Sequence, residues 1–208
     1  MRRRIKLVCL SLVSFLFLSA MSVSAYAGDP TNLMKQTIDK VIQILKNKEL
    51  KIPEKANERR AAIRKVVGER FDFEEMAKRS LALHWKKRTS EERNEFVPLF
   101  SDLLERSYIK KIESYTDEKI LYTGEKTDGE YAVVDTKIIT KRNVETPIEY
   151  RLLNKNDKWE VYDVVIEGVS LVNNYRNQFN KIIRRDSYEE LVKRMKNKQE
   201  EELFQETK

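Results

Sequence analysis

The 208-residue sequence is poor in the side chains that bind metals or act as nucleophiles, since it contains one cysteine, Cys9, and one histidine, His84. A zinc site needs several cysteine, histidine or acidic ligands at fixed spacing, and the sequence has no such pattern. Glycine is also scarce, at five residues, and no glycine-rich loop that could bind phosphate occurs. These absences predict a protein without a metal, without a cofactor and without enzymatic activity.

Long apolar runs are equally rare, and the clearest one lies near the N-terminus, at residues 7–18. It follows a basic start at residues 2–6 and precedes the small-x-small sequence Ala-Tyr-Ala at residues 25–27. This order is typical of a secretory signal peptide. We therefore predict a signal peptide at residues 1–27, cleaved after Ala27, and an exported mature protein.

Cleavage of the signal peptide changes both the charge and the cysteine content. It leaves 37 basic against 34 acidic residues, a net charge of about +3, so binding to nucleic acid loses its main support. Cys9 is removed as well, and the mature chain must fold without disulfides around one hydrophobic core. We predict a single domain at residues 28–196 and a charged tail at residues 197–208.

Helical periodicity covers the first half of the mature chain. Asp29 and Asp72 have the character of helix N-caps. Thr89 and Glu92 form a capping box that begins the longest helix. The apolar face of that helix is broad, which suits either an ordinary core or the wall of a lipid-sized cavity; it comprises Phe96, Leu99, Phe100, Leu103, Leu104, Tyr108 and Ile112.

After residue 119 the apolar period changes to two, which predicts strands. Short turns separate the strands, so they are expected to form an antiparallel meander. Helices followed by a sheet and then by further helices predict an α+β fold. The four predicted strands lie at residues 120–122, 131–140, 148–153 and 159–167.

The segment at residues 159–179 combines a strand, a corner and a helix. Its strand is apolar on both faces and is therefore expected to be covered on both sides. Gly168 permits the turn that follows, and helical spacing then predicts a helix laid over the sheet, either as plain core packing or as a lid. The predicted strand faces are Trp159, Val161 and Val165 on one side, and Tyr162, Val164 and Ile166 on the other.

Two carboxylates on this strand, Asp163 and Glu167, have the same strand parity. They could face a cavity together and provide a general base. The alternative is that they form structural ion pairs with Arg151 or Arg176, and the sequence favours this alternative.

The sequence YDVVIEGVSL at residues 162–171 resembles the signature of the MlaC family of periplasmic phospholipid carriers, also called toluene-tolerance proteins. The similarity continues through residues 175–179, and FDFEEMA at residues 71–77 and the long helix at residues 92–108 resemble the preceding family segments. The resemblance covers nearly the whole mature chain. It implies an α+β, NTF2-like fold, in which a curved antiparallel sheet of four to five strands is wrapped by helices around an apolar cavity.

The resemblance also implies a function. The expected cargo is a glycerophospholipid, carried between the outer and inner membranes to maintain outer-membrane lipid asymmetry. The implied partners are an outer-membrane lipoprotein–porin complex and an inner-membrane ABC transporter with an MCE-domain ring. The alternatives are a carrier of another apolar lipid such as a hopanoid, a periplasmic NTF2-like enzyme that uses Asp163 or Glu167, and an interaction module without a pocket.

The cavity wall is expected to combine one face of the sheet, the long helix and the corner after Gly168. Within the third predicted strand, Ile148, Tyr150 and Leu152 share a face opposite Glu149 and Arg151. The predicted lipid-binding residues are Trp85, Phe100, Leu104, Tyr108, Ile148, Tyr150, Leu152, Tyr162, Val164, Ile166, Val169 and Val172.

Overall fold

The computed structural model describes residues 29–197. The predicted signal peptide at residues 1–27 and all but the first residue of the predicted tail at 197–208 therefore lie outside the described residues. The expected α+β class with an antiparallel sheet is confirmed. Its helices are α1 (Pro30–Lys46), α2 (Ala56–Gly68), α3 (Phe73–Leu81), α4 (Ser90–Glu113), α5 (Leu171–Arg185) and α6 (Tyr188–Lys196), with 3-10 turns at Pro53–Lys55 and Ala82–Lys87.

The predicted helix starts are confirmed by their hydrogen bonds. Asp29 caps α1 and Asp72 caps α3, each by accepting a hydrogen bond from a backbone N–H of the first turn. Thr89 and Glu92 form both bonds of the capping box, at 3.2 and 2.7 Å. Such caps satisfy N–H groups that have no partner within the helix, which fixes where each helix begins.

The sheet has five antiparallel strands in sequence order. Its first strand is much longer than predicted. The second half of this strand is polar and exposed, so hydrophobic alternation gives no signal there, and hydrogen bonds to β2 hold it in the sheet. Asn156 and Asp157 have φ values of 50° and 61° and form the tight turn between the third and fourth strands. The strands are β1 (Lys119–Asp128), β2 (Tyr131–Ile139), β3 (Glu145–Lys155), β4 (Lys158–Ile166) and β5 (Val169–Ser170).

Two buried clusters hold these layers together. One lies among α3, α4, α5 and α6 and contains edge-to-face aromatic pairs, such as Phe100 with Tyr175 at 5.6 Å between ring centroids. The other joins α1 to one face of the sheet around Met34, Val134 and Trp159. Most buried residues of α5 belong to the first cluster, so the helix packs mainly in the helical layer, which fits plain core packing rather than a lid. Its first residue, Leu171, lines the cavity.

The predicted faces of β4 are corrected by a β-bulge. Arg151 pairs with Asp163 but the next residue of β3, Leu152, pairs with Val161, so Tyr162 is an extra residue without a partner on β3. An inserted residue shifts the side-chain alternation on either side of it. Trp159 and Val161 therefore share a face with Val164 and Ile166, and all four pack in the sheet cluster.

Candidate functional site: an apolar cavity

A cavity of about 410 Å³ lies between the sheet and helices α1, α2 and α4. Part of its lining consists of buried apolar side chains, including Met34, Met76 and Val164. Another part consists of exposed or half-buried polar groups, including Lys111, Ser114 and Glu118. The cavity is thus apolar where its lining is buried, and the exposed lining residues mark a mouth near the C-terminal end of α4.

The sheet wall is built by cross-strand pairs whose side chains point to the same face. Ile148 lies opposite Ile166, and Tyr150 lies opposite Val164. Residues opposite each other in an antiparallel pair project to the same side, so these four form a continuous apolar surface. The facing helices supply the remaining apolar wall, which includes Ile38, Val41, Ile42 and Leu45 of α1, Ile63 and Val67 of α2, and Leu104, Tyr108 and Ile112 of α4.

Helix α2 is fastened across the cavity by arginine–carboxylate pairs to α4. Glu113 accepts hydrogen bonds from Arg59 at 2.7 Å and from Arg60 at 2.9 Å. Arg64 contacts Glu105 at 2.5 Å. The bonds from Arg60 and then Arg59 hold the pKa of Glu113 below its ordinary value despite partial burial.

Three tyrosines line the cavity, Tyr108, Tyr115 and Tyr150, and all stay uncharged at neutral pH because burial raises the pKa of each. For Tyr150 the pKa rises to about 12. The charged lining residues are all exposed or half-buried, whereas the buried lining residues carry no charge; the charged set is Arg60, Arg64, Glu105, Lys111 and Glu118. The buried part of the wall therefore suits an apolar ligand, because no charge has to be desolvated there when the cavity fills.

The structure places six of the twelve predicted binding residues in the cavity wall. Their contact with a lipid stays a prediction. They come from α4 and from the inward faces of β3 and β4: Leu104, Tyr108, Ile148, Tyr150, Val164 and Ile166.

The other six predicted residues lie outside the cavity lining. Phe100 and Val172 are buried in the helical cluster, as is Trp85 beneath the Arg93 guanidinium. A broad helical face can pack on two neighbours, and here Phe100 packs on α5 while Leu104, one turn later, lines the cavity. The predicted cavity position is therefore corrected for these three residues.

The remaining three are displaced for different reasons. Leu152 is fully buried in the sheet cluster rather than at the cavity surface. Tyr162, the inserted residue of the bulge, lies on the opposite face, 4.1 Å from the Arg79 guanidinium. Val169 is 57% exposed at the corner after Gly168. Because Val169 is not among the residues that line the cavity, its predicted place at the mouth is corrected too.

The sequence interpretation missed the contribution of α1 and α2 to the wall. Helix α1 lines the cavity with an apolar stripe of Ile38, Val41, Ile42 and Leu45. An amphipathic stripe has the same spacing whether it faces a packed core or an open cavity. The three arginines of α2, Arg59, Arg60 and Arg64, are the one local signal that could have marked a helix at the edge of an opening.

The two candidate carboxylates do not come together. Asp163 is 4% exposed and accepts hydrogen bonds from the Ser170 hydroxyl at 2.6 Å and the Val172 N–H at 3.1 Å. Arg151 lies 3.4 Å from the same carboxylate, which is the structural pair that the sequence favoured. Glu167 is exposed in the turn, with φ of 50°. Asp163 thus fastens the start of α5 to β4.

Neither metal-ligating clusters nor membrane spans are found in the part of the chain that the structure describes. Within residues 29–197, no three His, Cys, Asp or Glu side chains are grouped so that they could hold a metal ion. In the same range, no helix combines the length and apolar composition needed to cross a bilayer.

Comparison with known proteins shows extensive similarity. The fold matches a phospholipid-binding protein from Ralstonia solanacearum, solved in complex with a phospholipid, with a TM-score of 0.74 and 22% identity over 85% of this chain and 99% of that one. The sequence is 26% identical over 171 residues to the intermembrane phospholipid transport system binding protein MlaC of Haemophilus influenzae, covering 80% of each chain.

It is also 23% identical over 155 residues to the toluene tolerance protein ttg2D of Pseudomonas putida, covering 74% of this chain and 72% of that one. The family model described as MlaC protein matches residues 35–197, which is most of the chain. The resemblance noted in the sequence is thereby confirmed. The chain therefore belongs to the MlaC family.

Proposed function

We propose that this protein is a periplasmic carrier that moves a glycerophospholipid between the outer and inner membranes and so maintains outer-membrane lipid asymmetry. The observation that carries the proposal is the apolar cavity of about 410 Å³. The acyl chains occupy this cavity as cargo, and the headgroup remains at the polar mouth. The similarity to proteins named for phospholipid transport and phospholipid binding supports the same conclusion.

The energetics explain why such a carrier needs partners. Each buried methylene is worth about 0.8 kcal/mol, so two chains of about sixteen carbons represent roughly 20 kcal/mol or more against water. A lipid held this way does not leave through bulk water on a useful timescale. Loading and unloading therefore need docked partners. The family resemblance implies that these are an outer-membrane lipoprotein–porin complex and an inner-membrane ABC transporter with an MCE-domain ring.

The proposal assigns the parts of the chain as follows. A signal peptide at residues 1–27 directs export to the periplasm, and a lipid-binding domain at residues 28–196 precedes a charged tail. No catalytic step, metal or cofactor is part of the mechanism. Asp163, the best candidate for a general base, has its hydrogen-bonding capacity occupied by Ser170, Val172 and Arg151.

Organic extraction of the purified protein, followed by lipid mass spectrometry, tests this function. We expect glycerophospholipid at near one molecule per chain. A hopanoid or another apolar lipid at that ratio would support the carrier function with a different cargo. Protein without any lipid, which also takes none from phospholipid vesicles, would contradict the proposal and favour an interaction module.

A further inference from the structure

Three loops surround the solvent-facing end of the cavity. They are the α1–α2 loop at residues 47–55, the α4–β1 loop at 114–118 and the β2–β3 loop at 140–144. Residues at or beside their ends, among them Leu45, Tyr115 and Thr140, contribute to the cavity lining. Whatever approaches these loops therefore approaches the mouth of the cavity.

Contacts beside the loops indicate that they lie close together. Lys46 Nζ is 2.6 Å from the carboxylate of Asp117. Lys119, directly after the second loop, pairs with Ile139, directly before the third. The contact of Lys46 with Asp117 joins the start of the first loop to the second, so the three loops form one rim.

The rim carries two exposed apolar side chains. Ile52 is 44% exposed in the first loop and Val144 is 58% exposed in the third. Each lies among cations: Ile52 follows Lys51, and Val144 follows Lys141 and Arg142 by two or three residues. Apolar tips flanked by basic residues are the arrangement that binds the interface of an anionic membrane, where the apolar groups enter and the cations meet phosphates.

The charge balance of the rim supports this partner. In the two loops that carry Ile52 and Val144, at residues 47–55 and 140–144, five basic residues face two acidic ones. The third loop adds Asp117 and Glu118, and Asp117 is paired with Lys46. The positive charge of the rim is therefore concentrated beside its apolar side chains, as complementarity to an anionic surface requires.

We propose that residues 47–55 and 140–144 dock the cavity mouth directly on an anionic phospholipid bilayer. Ile52 and Val144 enter the headgroup region, while Lys51, Lys141 and Arg142 contact lipid phosphates. The inference rests on the proposed carrier function, and it adds the bilayer itself as a partner. With the mouth against the membrane, an acyl chain passes into the cavity without crossing water.

Vesicle flotation of the purified full-length mature protein tests the proposal. Vesicles of phosphatidylcholine with equal phosphatidylglycerol are compared with vesicles of phosphatidylcholine alone. We expect binding to the anionic vesicles only, and its loss at high salt. A basic residue near an anionic surface contributes about fivefold to binding, so the combined Lys51→Gln, Lys141→Gln and Arg142→Gln variant should bind on the order of a hundredfold more weakly.

A second variant, Ile52→Ser with Val144→Ser, keeps the charges and should bind about tenfold more weakly. The matched control replaces Leu83, which is 78% exposed outside the cavity lining, by serine and the nearby Lys86 and Lys87 by glutamine. This control should bind like the unmodified protein. All the replaced side chains are exposed, so melting temperatures should stay unchanged.

Several results would overturn the inference. They are no binding of the unmodified protein to anionic vesicles, full binding by both rim variants, or an equal loss in the Leu83 control. The first result would leave an acidic protein surface as the partner of the rim. Extraction of lipid from the same preparations separates the carrier function from the docking proposal. Protein that contains phospholipid but does not bind vesicles would contradict only the docking proposal.

Discussion

Replacing Ile148 by glutamate is expected to leave the protein folded and to remove most of its phospholipid at neutral pH. Ile148 lies in the sheet wall, so water in the empty cavity can hydrate the new carboxylate. Acyl chains would remove that water and force the carboxyl to take up a proton. For a glutamate with an ordinary pKa of about 4.3, protonation at pH 7 costs roughly 3 to 4 kcal/mol.

This cost matters most when the protein equilibrates with vesicles. A lipid that moves from a bilayer to the cavity exchanges one apolar environment for another, so little free energy is available to offset the penalty. The constant for partition of lipid from the bilayer into the cavity should fall by two to three powers of ten, and lipid occupancy should fall with it. The measurement is lipid per chain after incubation with vesicles and re-isolation, beside a melting curve of the same sample.

The pH dependence of lipid occupancy provides a second test of the Ile148→Glu variant. The loaded state favours the protonated carboxyl and therefore raises its pKa, so lipid uptake is coupled to proton uptake. Occupancy of the Ile148→Glu variant should recover as the pH falls from 7 towards 5. The control is Val169→Glu, at a residue that is 57% exposed outside the cavity. It should retain full occupancy at both pH values, and equal losses in the two variants would contradict the assigned wall.

Asp163→Ala is expected to destabilise the fold by about 3 kcal/mol without any change of the cavity wall. The carboxylate accepts hydrogen bonds from Ser170 and from the N–H of Val172, and that backbone group becomes unsatisfied when the acceptor is removed. A lost bond to a charged group and an unpaired buried N–H each cost about 1 to 3 kcal/mol. Arg151 adds little, because it is half-exposed and 3.4 Å away.

For a domain of this size, 3 kcal/mol corresponds to a fall in melting temperature of roughly 6–12 °C. Asp163→Asn keeps an oxygen that can accept from Val172 and should lose less than half as much. Glu167→Ala, at an exposed carboxylate of the same strand end, should change stability by less than about 0.5 kcal/mol. Equal effects of Asp163→Ala and Glu167→Ala would contradict the structural role of Asp163.

The features that the sequence predicted well are those with a local chemical cause. Asp29, Asp72 and the pair Thr89–Glu92 mark helix starts because their side chains bind nearby backbone N–H groups. Likewise, the change from helical to strand periodicity at residue 119 reflects alternation along the chain itself. Short turns then left an antiparallel meander as the simplest topology, and the structure has it.

The features that were missed depend on the partner across space. Nothing in the sequence of β4 marks Tyr162 as an extra residue, since the bulge is defined only by its pairing with Arg151 and Leu152 on β3. In the same way, Phe100 and Leu104 are both apolar residues of one helix, yet one packs on α5 and the other lines the cavity. An apolar residue indicates a position shielded from water, and both of these positions are buried, so hydrophobicity does not distinguish them.

The most direct test of the central claim, that acyl chains lie in the cavity between the sheet and α1, α2 and α4, is photo-crosslinking from two neighbouring positions of β3. A photoreactive side chain at Ile148 projects into the cavity, whereas the same group at Glu149 projects to the other face of the strand. After irradiation of protein loaded with phospholipid, mass spectrometry should find lipid attached at position 148 and none at 149. Equal labelling at the two positions, or labelling at 149 alone, would contradict the account.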